Sequence, residues 1–141
     1  MAYRGTSRET TTAPARVWQV WSDVDTWPEW NPDMIASHLE GPLRVGTTGK
    51  IETRSGGKHD VVVTQFEDGK SFELESTAMP FTKMAIRATV SPNGDGSRVT
   101  QEFEARGLLA PVVTPMMSGA VLKTFASVLE GLTNRVEQPT A

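Results

Sequence analysis

The feature that most constrains this chain is its C-terminal run, Gly107 to Gln138. The core of that run, GAVLKTFASVLEGLTNRVEQ, places Val121, Leu122, Phe125, Val128, Leu129, Leu132 and Val136 at steps of three and four. That spacing is one broad face of an α-helix. Lys123, Ser127, Glu130, Asn134 and Glu137 fall on the other side. The lead-in, Leu108–Met117, carries Pro111 and Pro115 and is expected to be irregular or kinked. Between residue 33 and this run nearly everything has the period of a strand. A long helix with one apolar face needs a partner surface, and here the candidate is a sheet.

Taken in order, residues 3–11 are rich in Thr and Ser and suggest a short, polar strand. Pro14 suits the first turn of a helix reading PARVWQVWSD, with Val17, Trp18, Val20 and Trp21 crowding one side. DTWPEWNP follows as a tight turn or a second short helix carrying Trp27 and Trp30. All four tryptophans thus lie between residues 18 and 30. The period then drops to two. Strands are expected over Met34–Glu40, Thr47–Arg54, Lys58–Phe66, Ser71–Met79, Thr82–Val90 and Ser97–Arg106. The turns between them include Ser55-Gly56-Gly57, Glu67-Asp68-Gly69-Lys70 and Pro92 to Gly96. Consecutive alternating strands with short turns make an antiparallel meander with one wet face. The expected fold is α+β: a curved antiparallel sheet of about six to seven strands wrapped around a long C-terminal helix, with two short helices after the first strand.

Size allows one domain, residues 1–141. Lys and Arg number 14 against 17 Asp and Glu, and the two signs are interspersed. Nucleic acid is therefore not an expected partner, because phosphate binding wants a concentrated basic stripe. The chain has no cysteine, which removes disulfides and thiol chemistry. The N-terminus is polar and lacks the apolar core of a signal peptide, no membrane span is expected, and a cytoplasmic location is the default. His38 and His59 lie far apart without metal-type spacing, so no metal centre and no cofactor are expected. No phosphate-binding loop and no nucleophile elbow occurs. A curled sheet around one helix leaves a cavity unless large side chains fill it. Many inward positions are small or polar, among them Gly49, Thr53, Ser76, Ala88 and Gln101, which hints at a hollow core.

Several motifs are shared with a known group. Ala13-Pro14-Ala15-Arg16-Val17-Trp18, Ser22-Asp23 and Trp27-Pro28-Glu29-Trp30-Asn31-Pro32 together resemble the opening of the START-like, helix-grip superfamily (SRPBCC). Its bacterial members are often labelled polyketide cyclase/dehydrase and lipid-transport proteins. Gly41 to Thr47, Asp95 to Thr100 and Gly107 to Pro111 resemble its second-strand connection, its last hairpin and its helix entry. These are packing and turn motifs rather than catalytic ones. The resemblance spans essentially the whole chain, and it implies a sheet gripping the long helix with an apolar ligand between them. The rival cone-shaped fold of ketosteroid isomerases places its principal helices before the sheet, whereas here the longest comes last.

The expected partner is a small or medium hydrophobic molecule such as a polyketide, lipid, sterol or aromatic metabolite, bound by a monomer or homodimer. Trp27 and Trp30 either line a ligand entrance or plug one end of the barrel. Met79, Met84 and Met116 offer adaptable apolar lining, and Phe81 is a candidate lid. Gln101, Phe103, Val121 and Phe125 complete the candidate ligand site. An alternative is a cyclase or dehydratase, which needs one acid or base in the cavity. The resemblance turns Thr11 inward, which would bring Ser7 and Glu9 with it and make Glu9 the candidate. A one-residue shift would instead put Glu9 in solvent. A third reading is an adaptor of the cochaperone-activator type.

Overall fold

A computed structural model describes residues 3–79 and 81–138. Seven strands form one antiparallel sheet: β1 (Arg4–Thr10), β2 (Met34–Leu39), β3 (Thr48–Thr53), β4 (Gly57–Glu67), β5 (Ser71–Met79), β6 (Thr82–Asn93) and β7 (Gly96–Gly107). Their order is β1-β7-β6-β5-β4-β3-β2. Strands β2 to β7 are thus a sequential meander, and β1 closes onto its far edge beside β7. Short helices α1 (Pro14–Trp21) and α2 (Trp27–Trp30) flank a 3-10 turn at Val24–Thr26, and α3 (Ala110–Glu137) ends the fold. The α+β helix-grip architecture expected from the periodicity is the architecture observed.

Local chemistry accounts for the elements. Pro14 occupies the first turn of α1, where a missing N–H is harmless. Strands β6 and β7 run longer than the alternation predicts, because their hairpin narrows to Gly94 and Asp95, with Gly94 at φ +60°. Register shifts interrupt the ladders between β2 and β3, β4 and β5, and β5 and β6. Such bulges bend a strand and increase its twist, which curls the sheet towards α3.

The lead-in to the long helix corrects the expectation of an irregular segment. α3 is continuous over 28 residues from Ala110, with Pro111 in its first turn. Pro115 lies inside it. The hydroxyls of Thr114 and Ser118 donate to the carbonyl oxygens of Ala110 and Thr114, one turn back. By length and mean hydropathy alone, 1.4 over its most apolar window, α3 is long and apolar enough to cross a membrane. In the fold it packs against β1, β7, α1 and α2.

The core lies between sheet and helices. Ala110, Val113, Phe125, Val128, Leu129, Leu132, Thr133 and Val136 are the buried residues of α3. From the sheet come Val61, Val63, Phe72, Leu74, Ala88, Val90 and Val99, and from the short helices Val17, Val20, Trp21, Trp27 and Trp30. Gly131 is where α3 meets α2: a Cβ there would collide with the carbonyl oxygen of Trp30.

The opposite face of the sheet holds a polar cluster. Glu73 is fully buried, with a relative exposure of 0%. The hydroxyl of Tyr3 donates to Glu73 Oε2 at 2.6 Å and accepts from Arg106 Nη2 at 2.7 Å. Arg106 also pairs with Glu73, Glu75 and Glu104 at 2.9, 3.0 and 2.7 Å. Thr64 donates to Glu73 Oε1, and the Arg87 guanidinium sits 3.7 Å from the centre of the Tyr3 ring. The charge of Glu73 is thus met from three sides, by Tyr3, Arg106 and Thr64, as a buried carboxylate requires.

Candidate functional site

The meeting of sheet, α2 and α3 leaves a cavity of about 90 Å³. One wall is the inward face of β3 to β7, including Ile51, Val61, Phe72, Leu74, Ile86 and Ala88. A second is the turn of tryptophans, Trp21, Trp27 and Trp30, and a third is Thr124, Phe125 and Val128 of α3. A larger depression of about 430 Å³ lies outside this space, but Glu40, Lys50, Asp60, Glu75 and Lys83 line it, and its polar walls suit solvent rather than an apolar guest.

Rings set the shape of the enclosed space. Phe72 on β5 is surrounded by Trp18, Trp21 and Trp27, with ring centres at 6.0, 6.2 and 5.9 Å. Trp27 stacks on it at 20°, and its Nε1 donates to the Trp21 carbonyl at 2.9 Å. Trp18 tilts against Phe66 at 5.9 Å. Tryptophans 18, 21 and 27 therefore close one end of the barrel, and Trp27 also borders the cavity. Trp30 differs. It is buried, and its Nε1 is the one buried side-chain polar atom without a hydrogen-bond partner among the described residues.

The rim is held by short-range bonds. Asn31 Oδ1 accepts from the Asp33 N–H, while Asp33 accepts from both the N–H and the hydroxyl of Ser55. Arg54 bonds back to the carbonyls of Pro32 and Asp33. This ties the tryptophan turn to the β3–β4 connection.

Gln101 projects from the centre of β7 into the cavity and is only 8% exposed. Its carboxamide has no partner among the described residues. Of the other candidates, Trp27, Trp30 and Phe125 line the same space. Met84 and Phe103 pack with Phe125 in an adjoining cluster, edged by Val121 and Met117, and do not reach the cavity. Phe103 meets Phe125 edge to face, with ring centres 6.0 Å apart. Met79 ends β5, and its side chain lies outside the described residues.

Three candidates are corrected. Phe81 and Met116 are each 79% exposed. Phe81 sits at φ +59° just before β6. Met116 lies on the face of α3 opposite its packed one. With Leu108, Leu109 and Val112 these residues make up the exposed large hydrophobics around the start of α3. Glu9 is the third. In the ladder it pairs with Arg98, on the face that carries Glu102 and Arg106, and its carboxylate accepts from Arg98 Nη2 at 2.8 Å. The inward residue is Thr10, whose hydroxyl donates to Glu137 Oε2, and Arg8 reaches Thr133 Oγ1 from the same side. The strand thus sits one residue away from the inward-Glu9 register.

Lining residues not among the candidates include Phe72, Ile86, Asn31, Asp33 and Thr124. Phe72 and Leu74 were marked by alternation with Glu73 and Glu75, and Ser76 and Ala88 by small size at inward positions. Nothing in the helical period marks Thr124, because it borders the apolar face rather than lying on it.

Comparison with known proteins agrees with this architecture. The model of the family described as polyketide cyclase/dehydrase and lipid transport matches residues 5–137. The chain belongs to that family. Among curated proteins no relative matches the sequence. A START superfamily protein from Mycobacterium smegmatis superposes with a TM-score of 0.74 at 18% identity, covering 98% of this chain and 99% of that one. The protein XoxI from Bacillus cereus gives 0.74 at 19% identity, with 96% of each chain covered. The di-domain ARO/CYC BexL of the BE-7585A biosynthetic pathway gives 0.76 at 13% identity, covering 99% of this chain and 51% of that one. At such identities these likenesses show a shared fold.

Proposed function

We propose that this protein binds a small hydrophobic molecule between the sheet and α3. The observation that carries the reading is the partly enclosed space of about 90 Å³ walled by aromatic and aliphatic side chains. A folded core is normally packed to crystal-like density, so a partly enclosed hollow of this size among core side chains is a departure from ordinary packing. The lipid-transport and cyclase description of the family and the fold shared with START proteins support the same reading. A cytoplasmic location and a monomer or homodimer complete the proposal.

A cyclase or dehydratase would need an acid or base facing the ligand. Among the described lining residues the ionisable one is Asp33, and both its oxygens already accept hydrogen bonds from Ser55. Binding is therefore the reading advanced here. Thermal-shift titration with aromatic ketones, sterols and fatty acids tests it, read alongside tryptophan fluorescence. A saturable rise in Tm with one class, accompanied by quenching, is expected; absence of any shift across all three classes would sink it.

The exposed cluster of Leu108, Val112 and Met116 favours a second reading, an adaptor of the cochaperone-activator type. Stimulation of a purified chaperone ATPase, lost on Met116→Glu, would support that reading; no stimulation would remove it.

A further inference from the structure

The polar groups of the cavity say more about the ligand than its apolar walls do. We infer that the ligand is a neutral, single-ring-sized molecule carrying a carbonyl oxygen that accepts a hydrogen bond from Gln101. The inference rests on the binding function proposed above and narrows it to a chemical class.

Size comes first. A single water needs roughly 10–15 Å³ of such space, so about 90 Å³ holds one substituted ring. Drug-sized ligands occupy pockets of about 300–1,000 Å³. A sterol, a long acyl chain or a folded polyketide exceeds the space.

Charge comes second. No lysine, arginine or histidine is among the described lining residues, and the carboxylate of Asp33 is already engaged. An anionic ligand would be buried without a counter-charge, which costs more than the contacts return. The ligand is therefore neutral.

Hydrogen bonding comes third. Most buried polar side chains have a partner. Here Gln101 is more than nine-tenths buried as a residue and borders the cavity, and its carboxamide has no partner among the described residues. Trp30, on the opposite wall, carries a buried indole N–H that is likewise unmatched among the described residues. The Gln101 carboxamide offers N–H donors to a guest in the cavity, and the group that meets them is an oxygen acceptor without charge. A carbonyl fits, and the carboxamide oxygen of Gln101 and the hydroxyls of Ser76 and Thr124 leave room for a donor elsewhere on the ring.

A matched ligand series decides the point. Dissociation constants for acetophenone, its hydrocarbon isostere α-methylstyrene, benzoate and hexadecanoate are measured by NMR titration on the full chain. Gln101→Leu is measured in parallel, with the nearly isosteric Gln101→Met standing in if the first variant folds poorly. The expected result is acetophenone at least ten-fold tighter than α-methylstyrene and than benzoate. That preference should fall below about two-fold in the variant, and the Trp30 indole N–H resonance, assigned with Trp30→Phe, should move on adding acetophenone to the wild type. Equal affinity for acetophenone and α-methylstyrene, or an unchanged preference in the Gln101 variant, would overturn the carbonyl assignment while the cavity reading survived. Tighter binding of hexadecanoate than of either ring would overturn the size and charge argument with the same consequence. If no member of the series binds and xenon under pressure shifts no core resonance, the cavity reading falls and this inference with it.

Discussion

At the residue scale, two glycines of one helix make opposite predictions. Glycine in a helix interior is less favourable than alanine by about 1 kcal/mol. Gly119 has open space where a Cβ would go, so Gly119→Ala should stabilise the protein by about that amount in urea denaturation. Gly131 has the Trp30 carbonyl oxygen there, so Gly131→Ala should destabilise instead. If both substitutions stabilised, the close approach of α2 and α3 would be wrong. The polar cluster on the outer face makes a second residue-level prediction. Glu73 is fully buried, and Arg106→Met would leave it with only Tyr3 and Thr64. Stranding a buried charge costs about 3–5 kcal/mol, and the lower end applies because Arg106 is one-third exposed. The double change Glu73→Met with Arg106→Met should recover most of that loss.

The same cluster gives a pH dependence. Burial first, and then the hydrogen bond to Glu73, push the Tyr3 phenol above its ordinary value near 10. A group whose folded pKa is raised contributes stability that is complete below the unfolded value and disappears as pH climbs through the folded one. Stability should therefore fall at alkaline pH, and Tyr3→Phe should flatten that fall. An unchanged alkaline limb in Tyr3→Phe would detach Tyr3 from the effect.

At the element scale, α3 divides into two halves with different determinants. Its C-terminal half buries Phe125, Val128, Leu129 and Leu132 and is held by packing. Its N-terminal half carries Pro115 and exposes Val112 and Met116. A proline inside a helix costs about 3 kcal/mol relative to alanine, offset by up to about 1 kcal/mol through its stiffening of the unfolded chain. Pro115→Ala should thus raise stability by about 2 kcal/mol and slow amide exchange over the first turns of α3. No change in exchange there would mean that packing alone sets the stability of this half. The exposure of this end also explains why periodicity located the helix correctly but not its start. There Ala110 and Val113 are buried while Val112 and Met116 face outward, so apolar residues on both sides blur the amphipathic signal.

At the scale of the whole molecule, the cavity is the difference between what the core residues could fill and what the curl of the sheet encloses. Ala88 is buried at the floor of that space. Ala88→Leu should fill it, abolish the thermal shift given by hydrophobic probes, and change the stability of the ligand-free protein by less than about 1.5 kcal/mol. A retained shift would place the binding site elsewhere.

The sequence by itself determined the helix face from Phe125 to Val136, the alternation of β5 to β7 and the order of elements, because these are local periodicities of 3.6 and 2. Gln101 and Phe125 were legible for the same reason, since each occupies an inward position of its own element, whereas Trp27 and Trp30 stood out as bulky rings concentrated at a turn. Only the tertiary structure decided which way β1 faces. Its Thr-rich sequence carries no apolar alternation, so pairing with β7 and the bonds of Arg8 and Thr10 to α3 set the register and turned Glu9 out to Arg98. The outer cluster was equally hidden, because Tyr3 finds Glu73 and Arg106 across separations of 70 and 103 residues. Cavity volume belongs to the same class. It is the residue of packing seven strands against three helices, and no segment of the chain carries it alone.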